Sequence, residues 1–264
     1  REQDMNQFKH NAYHIVIPAR YASERLPGKV LLDLGGQPLL QHVWQRAMES
    51  SAESVLIATD DERIVEAAKG FGAEVVLTSA EHQSGSDRIA ESADIMGWPD
   101  DYLVVNLQGD EPLMPSDCLD QVAALLNEQP ACEVASLYWP ITEAAEVRNP
   151  NAVKVVVEDA DLARYFSRSP IPFPRNHADI QTAIDAGIDW QRHLGIYAYR
   201  LSALRRYTAA APTPLEKIES LEQLRMMEQG GRIAMARASE FIPPGVDTAD
   251  DLQRLRDLIE SNTL

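Results

Sequence analysis

The sequence predicts an α/β fold, a mainly parallel sheet flanked by helices, on three observations. Short β-branched runs at residues 14–18, 54–60, 74–78 and 102–110 read as strands. Amphipathic segments with apolar residues at helical spacing lie between them, and such alternation builds right-handed βαβ crossovers and therefore parallel pairing. The chain is 264 residues long, 45% hydrophobic and 25% charged, enough apolar material for the full core of one large domain.

In chain order, strand 14–18 is halted by Pro18, and Pro27-Gly28 turns the chain back. Arg20, Arg25 and Lys29 therefore leave the sheet edge at close quarters. Residues 30–34 are apolar, Gly35-Gly36 is a turn, and Pro38 suits the first position of a helix carrying Leu40, Val43, Trp44 and Ala47. Strand 54–60 ends in Asp60, placed to cap a helix over 61–71 that Gly72 stops. After strand 74–78, Ser84 or Ser86 caps the next helix; strand 102–110 has a polar tip, and helix 116–128 and strand 134–138 follow. From Ala152 the pattern changes. Runs 153–157 and 162–166 flank an acidic turn and predict an antiparallel hairpin. Pro150, Pro170, Pro172 and Pro174 stiffen this region, and 176–190 is expected to be irregular and mobile. A strand over 193–200, one helix over 214–229, a strand over 233–238 and a closing helix over 248–261, capped by Thr248 or Asp247, complete the chain. Residues 1–12, with Arg1 to Asp4 ahead of Met5, are expected to be disordered or vector-derived, and 13–264 to form a single domain without internal repeats.

The net charge of −17 disfavours nucleic acid and anionic membrane as partners. It also makes the basic loop informative. Like charges packed together repel unless an anion joins them, and the crevice beyond the carboxyl ends of parallel strands is where ligands bind. A polyanion, first of all a nucleoside triphosphate, is the expected ligand. The loop is no Walker A motif, because Gly28-Lys29 lacks the upstream glycine and is followed by Val30, and no Gly-x-Gly-x-x-Gly occurs. Cys118 and Cys132 show no zinc spacing and suit a reducing cytoplasm. No apolar run approaches a membrane span, so no membrane insertion is expected.

Two acids are placed to hold a hard divalent cation such as magnesium: Asp110, at the tip of strand 102–110, and Asp247, flanked by Gly245 and preceding a helix. Each has an ordinary reading as well, Asp110 as a turn former and Asp247 as a helix cap. Arg168, Arg192 and His193 flank strands of the second half. The arginines either pair with surplus acids or bind a substrate carboxylate bidentately.

Taken together, the motifs carry a resemblance. Arg20-x-x-Ser23-x-Arg25-Leu-Pro-x-Lys29 is similar to the first loop of the sugar-acid cytidylyltransferases. His82-Gln-Ser-Gly-Ser-Asp-Arg88, Asn106-x-Gln-Gly-Asp-Glu-Pro112, Asn149-Pro-Asn-x-Val-Lys154, Tyr165-Phe-Ser-Arg168, His193-Leu-Gly-Ile-Tyr197, Pro214-Leu-Glu-x-x-Glu-x-Leu-Glu-Gln223 and Gly245-Val-Asp-Thr248 narrow it. Over residues 13–259 the chain resembles the 3-deoxy-manno-octulosonate (Kdo) cytidylyltransferases, departing from them in the amino-terminal extension and at 176–189. The resemblance implies a Rossmann-like nucleotidyltransferase fold with a smaller antiparallel substrate and dimerisation subregion, a cytoplasmic homodimer, and the reaction of CTP with Kdo to give CMP-Kdo and diphosphate on the route to lipopolysaccharide. It divides the domain into a CTP-binding half (13–140), a sugar-acid and dimerisation half (141–246) and a closing helix (247–264). By motif position, Arg20, Arg25 and Lys29 would hold the triphosphate, and Ser84, Gly85, Arg88 and Gln108 the cytidine. Asp110 and Asp247 would bind magnesium, and Arg168, His193, Tyr197, Glu222 and Gln223 would line the sugar-acid site. Competing readings are a cytidylyltransferase for 8-amino-Kdo or a sialic-type acid, a metal-dependent glycosyltransferase, which typically carries Asp-x-Asp where this chain has Asp110-Glu111-Pro112, and a non-catalytic nucleotide-binding module.

Overall fold

The computed structural model describes residues 12–23, 26–82, 84–159 and 161–260. Its first half alternates as the sequence predicts. Strand β1 (Tyr13–Ala19) is buried along its whole length. A 3₁₀ turn (Lys29–Leu31) and a small hairpin, β2 (Asp33–Leu34) with β3 (Gln37–Pro38), lead into α1 (Leu39–Met48). Pro38 is thus the residue before the helix, held extended by the hairpin, and not its first turn. Then come β4 (Ser54–Thr59), α2 (Glu62–Gly70), β5 (Glu74–Leu77), α3 (Gly85–Ile95), β6 (Leu103–Asn106), α4 (Ser116–Glu128) and β7 (Val134–Ile141). Asp61, not Asp60, caps α2 by accepting from the Arg63 amide at 2.9 Å. Ser84 caps α3 in a reciprocal capping box with Asp87, which leaves Ser86 inside the helix.

The second half is α5 (Ala144–Arg148), β8 (Lys154–Glu158), β9 (Leu162–Ser167), α6 (Ile180–Asp185), β10 (Trp190–Arg200), α7 (Leu201–Thr208), α8 (Pro214–Glu219), α9 (Gln223–Glu228), β11 (Ile233–Arg237) and α10 (Ala249–Glu260). The predicted hairpin is β8 with β9. Three expectations change. The stretch 176–190 holds α6, begun by Asp179 accepting from the Thr182 amide at 2.8 Å. The single helix over 214–229 is two helices, broken at Ser220 in the left-handed region at φ 51°. Helices α5 and α7, which the hydropathy pattern did not single out, fill connections.

One nine-stranded sheet runs β5-β4-β1-β6-β10-β7-β11-β9-β8. The first four strands are parallel, while β10 enters antiparallel between β6 and β7 and makes the sheet mixed. The start of β10 also pairs with β8, so the second half curls back on itself. Successive residues of β1 point into opposite layers: Ile15 and Ile17 pack with α1, α2, α4 and α10, and Val16 with α3, α7 and α9. Because β10 is antiparallel, with Tyr197 opposite Asn106, residues 193–196 lie beyond the carboxyl end of β6. The topology therefore places His193 at the same end of the sheet as the loop that follows β6.

Candidate active site

At the carboxyl ends of β1 and β6 lies a cleft of about 340 Å³ lined by Arg20, Ser23, Lys29, Gln108, Asp110 and Asp247, with Pro18, Val30 and Gly109. A second cavity of about 160 Å³ continues it, bounded by His82, Ser84, Gly85 and Arg88 and sharing Pro18, Arg20 and Gln108 with the first. Every predicted nucleotide contact within the described residues thus falls on one continuous trough; Arg25 lies outside those residues. The trough is built by small residues. A Cβ on Gly85 would come within 3.3 Å of Pro18 Cγ, and one on Gly109 within 2.9 Å of the Pro18 carbonyl oxygen, so neither wall tolerates a side chain without moving.

Lys29 sits at the centre of the larger cleft. Its ammonium group donates to Asp110, to Asp247 Oδ1 at 3.1 Å and to the Val246 carbonyl at 3.2 Å. The Val246 amide in turn donates to the Asp110 carbonyl at 2.8 Å, which fastens the two acid-bearing loops together. Thr248 takes over the cap of α10, exchanging hydrogen bonds with Asp251, and leaves the Asp247 carboxylate facing the cleft. The donor pair is of the kind magnesium takes: two hard carboxylates from distant loops converge at the Lys29 end of the trough. Among the described residues no group of three or more His, Cys, Asp or Glu could hold a metal ion, so a magnesium ion bound here would draw its remaining ligands from water and substrate oxygens.

Glu111, which the sequence reading passed over, stands behind this pair. Its carboxyl is pushed up to about 8, first by burial and then by the charge of Asp110. Arg88 lines the smaller cavity, yet its guanidinium is held by Thr78 Oγ1 at 2.5 Å and Asp60 Oδ2 at 2.9 Å. It braces the wall with its charge already neutralised.

The five residues predicted for the sugar acid lie on one connected patch. His193 packs edge-on against Phe166 at 5.0 Å and lies 5.3 Å from the Tyr197 ring; its Nε2 meets Ser136 Oγ at 3.1 Å, and burial lowers its pKa to about 3, so it is neutral. Tyr197 stacks on Tyr199 at 5.6 Å. Glu222 and the buried Gln223 follow the break at Ser220, and Glu222 accepts from Ser86 at 2.8 Å. Arg168 closes the patch differently from the expectation of a free carboxylate clamp. Its guanidinium donates to the carbonyls of Pro150, Glu219 and Ser220 at 2.8, 2.6 and 3.2 Å, locking the turn that carries Glu222. Arg192 is likewise occupied, by Glu146 at 3.0 Å. Lys154, fully buried, donates to the carbonyls of Asn149, Ala152 and Arg168. Burial holds its ammonium below the usual lysine range, and the neighbouring Arg168 charge adds to that.

Comparison with known proteins decides the lineage. A family model described as cytidylyltransferase matches residues 14–233. A protein named 3-deoxy-manno-octulosonate cytidylyltransferase in Hahella chejuensis is 50% identical over 93% of this chain and 97% of its own length. The chain belongs to the Kdo cytidylyltransferase family. The Thioalkalivibrio sulfidiphilus relative of the same name is 51% identical over 95% of this chain and all of its own length. A solved structure of CMP:2-keto-3-deoxy-manno-octonic acid synthetase complexed with CTP superposes with a TM-score of 0.87 at 40% identity, covering 96% of this chain and 100% of that one. A Leptospira borgpetersenii cytidylyltransferase at 21% identity and TM-score 0.58 shares the fold. Residues of four of the Kdo cytidylyltransferase motifs recognised in the sequence line the trough, among them Arg20 and Lys29, Ser84 and Arg88, Gln108 and Asp110, and Asp247, while Lys154 of the 149–154 motif is buried beneath the Arg168 backbone.

Proposed function

We propose that the chain transfers the cytidylyl group of CTP to Kdo, releasing diphosphate. The observation that carries this reading is the convergence of Arg20, Lys29, Gln108, Asp110 and Asp247 on one cleft that opens into a pocket walled by Ser84, Gly85 and Arg88. The smaller cavity receives the base, where hydrogen-bonding groups at Ser84 and Gln108 tell cytosine from uracil. The triphosphate extends along Arg20 and Lys29. The sugar acid approaches from β10, and its anomeric hydroxyl, giving up its proton to solvent water, attacks the α-phosphorus in line. The bond to the bridging oxygen breaks and diphosphate leaves, with Arg20 and Lys29 neutralising its growing charge. Magnesium on Asp110 and Asp247 would offset the repulsion between the two anionic substrates and lower the pKa of a coordinated hydroxyl. His193 is uncharged and enclosed, so it shapes the sugar site and donates or accepts one hydrogen bond without adding charge.

The enzyme would work in the cytoplasm, where CTP is available, on the route to lipopolysaccharide; no helix among the described residues is long and apolar enough to cross a membrane. A homodimer formed through the second half would cover Phe173 and Ile218, which are 83% and 78% exposed. Diphosphate release from CTP, measured with Kdo, 8-amino-Kdo and N-acetylneuraminate with and without magnesium, tests the reading. Release with Kdo and magnesium is expected; none with any of the three acids would sink it.

A further inference from the structure

Helix α3 begins at the base pocket and faces two ways. Gly85 lies against Pro18 and Gln108 on the nucleotide side. Ser86, the next residue, is fully buried on the other side and donates to Glu222 Oε1 at 2.8 Å, across 136 residues of chain. The Tyr199 phenol is within hydrogen-bonding reach of both Ser86 and Asn106, and the Asn106 Oδ1 accepts from Gln108 Nε2 at 3.1 Å. Gln108 lines both halves of the trough. A polar chain therefore runs from the nucleotide walls through Asn106, Tyr199 and Ser86 to Glu222. The Tyr207 hydroxyl fixes the Glu222 backbone by donating to its carbonyl at 3.1 Å.

The Glu222 carboxyl needs this support. Burial opposes its ionisation, and the Ser86 hydrogen bond is the foremost interaction that favours the charged form. A buried carboxylate deprived of its donor either takes a proton or turns away.

We propose that Ser86 is a positioning residue that joins the two substrate sites: seating of the nucleotide against the start of α3 holds Ser86 on Glu222 and so raises the affinity for the sugar acid. This rests on the cytidylyl-transfer reading above. The physical content is a coupling free energy between two sites, which must appear reciprocally in both affinities.

The test is calorimetric titration of the whole chain with Kdo, with and without α,β-methylene-CTP, which cannot release diphosphate. In the wild type the analogue should tighten Kdo binding at least about five-fold. In Ser86→Ala this ratio should fall toward one, while the analogue's own affinity stays within about two-fold of the wild-type value. An unchanged ratio in Ser86→Ala overturns the proposal, as does a ratio lost only together with the analogue's affinity. Should Ser86→Ala fail to fold, Ser86→Cys has nearly the same shape with a weaker donor and is read by the same ratio. A wild-type chain that binds the analogue but not Kdo would overturn the transfer reading instead; one that binds both with a ratio of one would overturn the coupling alone.

Discussion

Lys29 shows how one side chain can serve a charged site. Its ammonium pairs with both Asp110 and Asp247 and ties their loops together, and it lines the cleft beside Arg20. Asp110→Ala should abolish turnover at millimolar magnesium; near-normal diphosphate release in that variant would remove the metal role. Lys29→Ala should lower kcat by about 10²–10³, the usual cost of losing an electrostatic stabiliser of the transition state, with a smaller change in the KM for CTP. His193 gives a pH prediction. Its folded pKa of about 3 lies below the unfolded value, so below about pH 6.5 the unfolded chain binds a proton that the folded chain does not. Its contribution to stability is therefore full above that pH and is lost progressively as pH falls toward 3. Compared with wild type, His193→Gln should show a shallower fall in denaturant midpoint between pH 7 and pH 4.5.

At the scale of elements, the approach of two loops sets the site. A Cβ on Gly245 would sit 3.0 Å from the Asp110 carbonyl oxygen, so the two loops would have to part by a few tenths of an ångström. Gly245→Ala should therefore separate the acids, lowering kcat about ten-fold or more while the melting temperature moves by only a few degrees. A normal kcat would show that the loops yield without cost. The turn after α8 is the other precise element. Arg168 and Lys154 spend their hydrogen bonds on its surrounding carbonyls, so Lys154→Met should cost about 1–3 kcal/mol by chemical denaturation through stranded buried acceptors. The Rossmann-like half was legible because strands such as 54–60 and helices such as 116–128 repeat a local pattern. The break at Ser220 was not: the stretch 214–229 has apolar residues at helical spacing throughout, and only the carbonyls turned toward Arg168 reveal where the helix stops.

Over the whole molecule, the nine-stranded sheet runs unbroken through both halves, so ligand binding in the trough should stabilise the domain as one unit. CTP at about one hundred times its Kd should add about 2.7 kcal/mol, a rise of about 5–10 °C in melting temperature with one cooperative transition. UTP at the same concentration should give a smaller shift if Ser84 and Gln108 read the base. The net charge of −17 means that both anionic substrates meet repulsion at long range, which the short cationic stretch at Arg20 and Lys29 overcomes only within about a Debye length.

The sequence by itself determined the α/β class, the strand-end placement of Arg20 and Asp110, and the family, because these depend on local periodicity and on contiguous motifs. Tertiary structure alone decided which distant groups meet. Asp247 joins Asp110 through the Val246 amide, Ser86 reaches Glu222, and Arg168 turns to backbone carbonyls in place of a free carboxylate. Such pairings join residues 51 to 136 positions apart and depend on which faces the sheet buries together, which no short window of sequence shows.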